Sequence, residues 1–102
     1  VDLCMMLGNL LENALRAVCA LPVEAREVRV VSGMIGGAML GLSVENSYVG
    51  EIAFAPNGLP TSHKKDHGVG LASVAATVKR HNGTFSIAAK DGVFSAHILL
   101  SL

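Results

Sequence analysis

Two asparagines, a glutamate and an arginine are the residues of this chain best suited to chemistry. The run Asn9-Leu-Leu-Glu12-Asn13-Ala-Leu-Arg16 sets two carboxamides, a carboxylate and a guanidinium into an otherwise apolar helical pattern. At about 100° per residue, Asn9, Asn13 and Arg16 fall within roughly 60° of one another with Glu12 beside them. Leu3, Met6, Leu7, Leu10, Leu11, Ala14 and Val18 cover the opposite side. Asparagine is a mediocre helix former because its side chain competes for backbone hydrogen bonds. Two of them one turn apart therefore suggest a ligand-holding face, the alternative being a solvated polar one. Magnesium prefers oxygen ligands and takes only one or two from protein when phosphates supply the rest. The side-chain oxygens of Asn13 and Asn9 suit that role, Arg16 could hold a phosphate oxygen, and Glu12 could accept a proton or simply be an exposed carboxylate.

The second candidate is His67-Gly68-Val69-Gly70-Leu71, which is expected to open a helix from a loop. Two glycines let the backbone approach a ligand, and the unpaired N–H groups of a first helical turn receive phosphate well. Glycines at helix starts and tight turns serve purely structural ends too. The run is not a dinucleotide-binding fingerprint, since a long loop precedes it and Ser73 stands at the third glycine position; a Walker P-loop would need Gly-Lys-Ser/Thr.

The elements that must position these residues follow from periodicity and punctuation. Asp2 is placed as an N-cap, Leu3 to Val18 keeps the helical period, and Ala20-Leu21-Pro22 stops it. Glu27 to Val31 reads as a strand, Ser32 to Gly37 as a glycine-rich turn, and Ala38 to Glu45 as an antiparallel partner. From Asn46 to His67 the pattern dissolves, and a connection that long inside a compact domain points to function or disorder. We read 46–67 as a mobile lid. Leu71, Val74, Ala75 and Val78 form the stripe of a helix running Leu71 to Arg80, which Asn82-Gly83 ends. Thr84 to Ala89 and Val93 to Leu100 are strands joined by Lys90-Asp91-Gly92. This order predicts an α/β (α+β) two-layer sandwich, a mixed or antiparallel sheet with helices on one face.

Composition narrows the function classes. The 102 residues make one domain able to bury a single core, and 51% hydrophobic content with no tryptophan favours an aliphatic α/β interior. Eight basic residues balance eight acidic ones, so no global field recruits nucleic acid or an anionic membrane, and an anionic ligand needs local devices. Cys4 and Cys19 would lie about 22 Å apart on one helix, which predicts free thiols and a reducing cytosol. No apolar run reaches the roughly 20 residues needed to span a bilayer. The chain enters a helix at its second residue, so it is expected to be a fragment trimmed at its N-terminus.

Asn9-Leu-Leu-Glu-Asn13-Ala resembles the N box of the GHKL ATP-binding superfamily, which includes gyrase B, the heat-shock chaperone ATPases, sensor histidine kinases and MutL, and His67-Gly-Val-Gly-Leu71 resembles its second glycine box. The wider wording, with Gly58-Leu-Pro-Thr-Ser between the boxes, is similar to sensor kinases of the peptide-pheromone quorum-sensing branch. The resemblance implies a Bergerat-type sandwich over residues 1–102 in which ATP lies between the N-box helix and the lid. It implies Asn13 as the magnesium ligand with Asn9 in support, Arg16 as a phosphate contact, and Gly68, Val69, Gly70 and Leu71 at the phosphate turn. Glu12 sits where such kinases carry a candidate acid or base. The implied activity is transfer of the γ-phosphoryl of Mg-ATP to a histidine on a separate dimerisation domain. The alternatives are a GHKL-type ATPase or serine kinase, with Glu12 activating water or a hydroxyl, and a non-catalytic nucleotide-sensing module.

Three departures accompany the resemblance. The first glycine box, Asp-x-Gly-x-Gly, is absent, and strand pairing places Asn46-Ser47-Tyr48 there; Asn46 could accept from the adenine amino group and could also flip to fit guanine. The second glycine box is shortened, with Asp66-His67 where some relatives have Gly-x. None of His63, His67, His81 or His97 stands in a helix of the phosphoacceptor kind, so the fragment is not expected to phosphorylate itself. Lys64 and Lys65 could close on the phosphates or be solvated, as could Thr61 and Ser62, and a zinc site at His63, Asp66 and His67 is not expected without cysteine. The implied setting is a cytoplasmic domain of a homodimeric membrane receptor acting on a response regulator, with no nucleic acid partner and no membrane contact of its own.

Overall fold

The structure, a computed structural model, describes residues 2–50, 52–56, 58–60 and 65–101, with the backbone alone at 65–69. Helix α1 spans Asp2–Cys19 and a single 3-10 turn spans Val23–Ala25; strands β1 (Val28–Ile35) and β2 (Met39–Ser47) follow, then helix α2 (Lys65–Arg80) and strands β3 (Thr84–Lys90) and β4 (Val93–Ser101). Two hairpins pair through their second strands, giving a wholly antiparallel sheet in the order β1-β2-β4-β3. Both helices lie on one face, so the expected α+β two-layer sandwich is the architecture found, its sheet antiparallel rather than mixed.

The core forms where the helical and strand periods meet. Met6, Leu10 and Ala14 of α1 and Leu71, Val74 and Val78 of α2 pack on Leu42 and Val44 of β2 and on Phe94, Ala96, Ile98 and Leu100 of β4. The strand residues are all even-numbered, because side chains two apart share a face. Leu3, expected to pack, is 42% exposed.

Element boundaries depart from expectation where glycine was read as a stop. Strand β1 continues through Ser32-Gly33-Met34-Ile35, because β2 offers partners along the whole length, and only Gly36 and Gly37, with φ of 62° and 77°, turn the chain. The second hairpin turns on Asp91 and Gly92, whose φ values of 54° and 79° suit the primed turn that matches strand twist.

Candidate functional site

Helix α1 presents two adjoining stripes. Met6, Leu10, Ala14 and Val18 are buried against the sheet, and Met5, Asn9 and Asn13 run beside them, each half-buried. The asparagines thus flank the core rather than oppose it. Asn9 faces α2: a β-carbon at Gly70 would stand 3.8 Å from its Cβ. Its amide donates to the thioether of Met5 at 3.2 Å, which also receives the Ser73 hydroxyl at 3.8 Å. Sulfur is a weak acceptor, so this pairing leaves most of the carboxamide's capacity unused. Asn13, one turn on, has no hydrogen-bond partner among the described residues.

Glu12 and Arg16 take a different place from the two asparagines. They form an ion pair with each other along the exposed side of α1, with side-chain exposures of 58% and 42%. An exposed i,i+4 pair stabilises a helix by only about 0.3–0.5 kcal/mol, so it holds neither group firmly against a ligand.

The glycine box does not open its helix. Helix α2 starts at Lys65, and Gly68 and Gly70 are its fourth and sixth residues. Lys65-Asp66-His67 contains no proline or glycine to delay the helix. The box therefore lies one turn inside the helix and contributes close approach to α1 at Gly70. The N–H groups that a helix leaves unpaired belong to its first turn, and the backbone is already helical at Lys65. Leu71, grouped with the glycines in the sequence, is 3% exposed and points into the core. The side chains of Val69 and Lys65 lie outside those described.

Asn46 ends the inner face of β2, 3% exposed, with Val28 and Phe94 as its strand neighbours. Its amide nitrogen donates to the Ser47 carbonyl at 2.9 Å. A carbonyl only accepts, so the bond fixes which way the carboxamide faces and leaves the oxygen Oδ1 turned away from it. Ser47 belongs to β2, and its hydroxyl donates to the Ala25 carbonyl at 2.7 Å and accepts from the Glu27 amide at 3.0 Å. Tyr48 bonds through its amide to Gly92 O at 3.0 Å. The end of β2 is thus fastened to both neighbouring strands.

Strand β2 runs to Ser47 and the backbone is helical from Lys65, so both ends of the segment 46–67 fall within these elements. Within it, Phe54 bridges Pro60 and the Ala55 amide bonds to Leu59 O at 2.7 Å, closing a tight loop. Thr61, Ser62, His63 and Lys64 lie outside the described residues.

Three positioning residues escaped the sequence reading. Met5 was masked by its apolar character, although its spacing of four from Asn9 carried the signal. Ser47 bonds to residues some twenty positions away, which no local pattern reveals. Arg26 donates to the carbonyls of Leu21 at 2.9 Å and Cys19 at 3.2 Å, capping the end of α1 with a cation where the helix dipole favours one. Cys4 and Cys19 are both free and exposed. No helix among the described residues is long and apolar enough to cross a membrane.

Comparison with known proteins agrees with this fold. The fold is similar to that of the mycobacterial sensor histidine kinase MprB, with a TM-score of 0.72 at 21% identity over 98% of this chain and 70% of that one. It is also similar to the histidine kinase AdeS of Acinetobacter baumannii, with a TM-score of 0.66 at 20% identity over 98% of this chain. The chain spans 45% of the AdeS chain, less than half its length. At such identities the likeness is one of fold. Curated protein sequences return no match. The family model described as a GHKL domain matches residues 1–101, and with its helices, sheet order and N-box asparagines in place, the chain belongs to the GHKL family.

Proposed function

We propose that this chain is the ATP-binding catalytic domain of a sensor histidine kinase, one that supplies the γ-phosphoryl of Mg-ATP to a histidine on a separate dimerisation domain. The observation that carries the reading is the carboxamide of Asn13. It is half-buried, shares a stripe with Asn9 at the seam between the helices, and has no partner among the described residues.

Each residue has a role that its surroundings support. The Asn13 oxygen, with that of Asn9 beside it, is the hard donor that would hold magnesium. When bound, the ion would neutralise phosphate charge as the phosphoryl group leaves. The free amides at the start of α2 favour an anion there, and Gly70 keeps that end of α2 close to α1. Oδ1 of Asn46 would accept from the amino group of adenine. Arg16 would contact phosphate from the exposed side of α1. Glu12 lies on the exposed side of α1, which suits contact with an incoming acceptor domain better than activation of a water held among the phosphates. The connection 48–64 would act as the lid.

The acceptor histidine belongs to another domain in this reading. His97 stands exposed on the outer face of the sheet, on the side away from the helices, and His81 is bound to Asp2 at 2.7 Å. The parent would be a homodimeric receptor of the cell membrane, with this domain on the cytoplasmic side and a response regulator downstream. Titration of the chain with Mg-ATP and Mg-GTP tests the proposal. ATP should bind in preference to GTP, and Asn13→Ala should weaken ATP on the order of 10- to 100-fold with unchanged circular dichroism. Equal binding by Asn13→Ala would remove the basis for the reading.

A further inference from the structure

Met5 lies one turn before Asn9 on α1, half-buried at the seam with α2, and its thioether sulfur is approached by donors from both helices. The side-chain amide of Asn9 donates to it at 3.2 Å, and the hydroxyl of Ser73 on α2 does so at 3.8 Å. A carboxamide has two unlike ends, an NH2 that only donates and an oxygen that only accepts, and turning it over exchanges them. What stands at one end therefore decides which end is left for a ligand. Weak as it is, the sulfur discriminates between them: it offers lone pairs and no proton, so it accepts from Nδ2 and repels Oδ1. Ser73 spends its own proton on the same sulfur and gives the carboxamide oxygen no competing donor there. Gly70 walls the group on the α2 side, with the place of its missing β-carbon 4.0 Å from Asn9 Cγ. Oδ1 of Asn9 accepts no bond among the described residues.

We infer that Met5 is a positioning residue for the cation site, its sulfur holding the Asn9 carboxamide so that the oxygen, and not the NH2, is offered to magnesium. This rests on the role proposed above for Asn9 and Asn13. Magnesium takes oxygen ligands, and an amide nitrogen that carries two protons is no ligand for it. Met5 itself touches neither ion nor nucleotide. Leucine in its place would fill similar space and leave the NH2 of Asn9 without an acceptor. That NH2 would then turn outward to water, and the ion would have to turn it back. Glutamine in its place would supply an oxygen, a stronger acceptor than sulfur, and keep the Asn9 carboxamide as it is. A residue that only filled space would show the opposite order, since leucine conserves apolar volume and glutamine brings a polar group to the edge of the core.

Two measurements test this on the wild type, Met5→Leu and Met5→Gln. Calorimetric titration with ATP, in magnesium and in EDTA, should show Met5→Leu weakened on the order of 10-fold in magnesium. Met5→Gln should bind close to the wild type, and metal-free ATP should bind all three alike. In the nucleotide-free wild-type chain, NMR should show an Overhauser contact between the side-chain NH2 of Asn9 and the ε-methyl of Met5. Absence of that contact, Met5→Leu binding Mg-ATP as the wild type does, Met5→Gln binding more weakly than Met5→Leu, or a loss equal with and without magnesium would each overturn the inference while leaving the proposed function in place. A wild-type chain that binds no Mg-ATP would overturn the proposed function, and the cation role of Met5 with it.

Discussion

Gly70 of α2 rests on Asn9 of α1, with the place of its missing β-carbon 3.8 Å from Asn9 Cβ and 4.0 Å from Cγ. A residue of the glycine box and one of the N box therefore touch across the helix seam. A methyl group fits at that distance, and alanine lacks the conformational cost of a glycine inside a helix, so Gly70→Ala should raise stability in urea by about 0.5–1 kcal/mol. Gly70→Leu should force Asn9 aside and weaken Mg-ATP binding, which titration of the two variants side by side would reveal.

Gly83 is held by a tighter constraint. It closes the end of α2 through the bond from its amide to Val78 O at 2.9 Å, beside Asn82 at a φ of 55°. A β-carbon there would meet Leu99 O at 2.5 Å and Leu100 Cδ2 at 2.7 Å. Gly83→Ala is expected to cost about 1–3 kcal/mol by overpacking, measured as a lowered urea midpoint with an unchanged slope.

Asn46→Asp would place a carboxylate at the end of β2, yet here it should destabilise. The amide that donates to Ser47 O at 2.9 Å would become an oxygen facing an oxygen, in a residue only 3% exposed. Loss of about 1–3 kcal/mol is expected. Urea melts at neutral pH check it, and recovery of stability at acid pH, where the carboxyl can donate, would confirm the cause.

Asp2 and His81 tie the start of α1 to the end of α2, with Asp2 Oδ2 and His81 Nε2 2.7 Å apart. The hydrogen bond from His81 holds the Asp2 carboxyl below its ordinary 3.8. A carboxyl lowered on folding contributes stability that is fully present above its unfolded value and is lost as pH falls through the folded one. Asp2→Asn should therefore be less stable than the wild type at pH above about 4. The gap should close in more acid solution, as urea unfolding at a series of pH values would show.

The legible part of the fold was the part written in short-range periodicity. Met6, Leu10, Ala14 and Val18 repeat at the helical period, Leu42 and Val44 alternate, and both hairpins announce their turns, so the two layers and their order could be read in advance. The N-box spacing of Asn9 and Asn13 was equally local. Strand ends were misread at Ser32-Gly33, because glycine marks a turn only where no neighbouring strand offers partners, and that neighbour is a long-range fact.

By itself, then, the sequence determined the elements, the apolar faces and the chemical types at the site, since each depends on residues within a turn or two of one another. Tertiary structure alone decided that Asn9 meets Gly70, that Glu12 and Arg16 stand apart on the exposed side, and that Ser47 fixes the end of β2. The contact of Asn9 with Gly70 and the bonds of Ser47 join residues twenty to about sixty positions apart. Their free energy comes from burial and hydrogen bonds that exist only once the layers have closed.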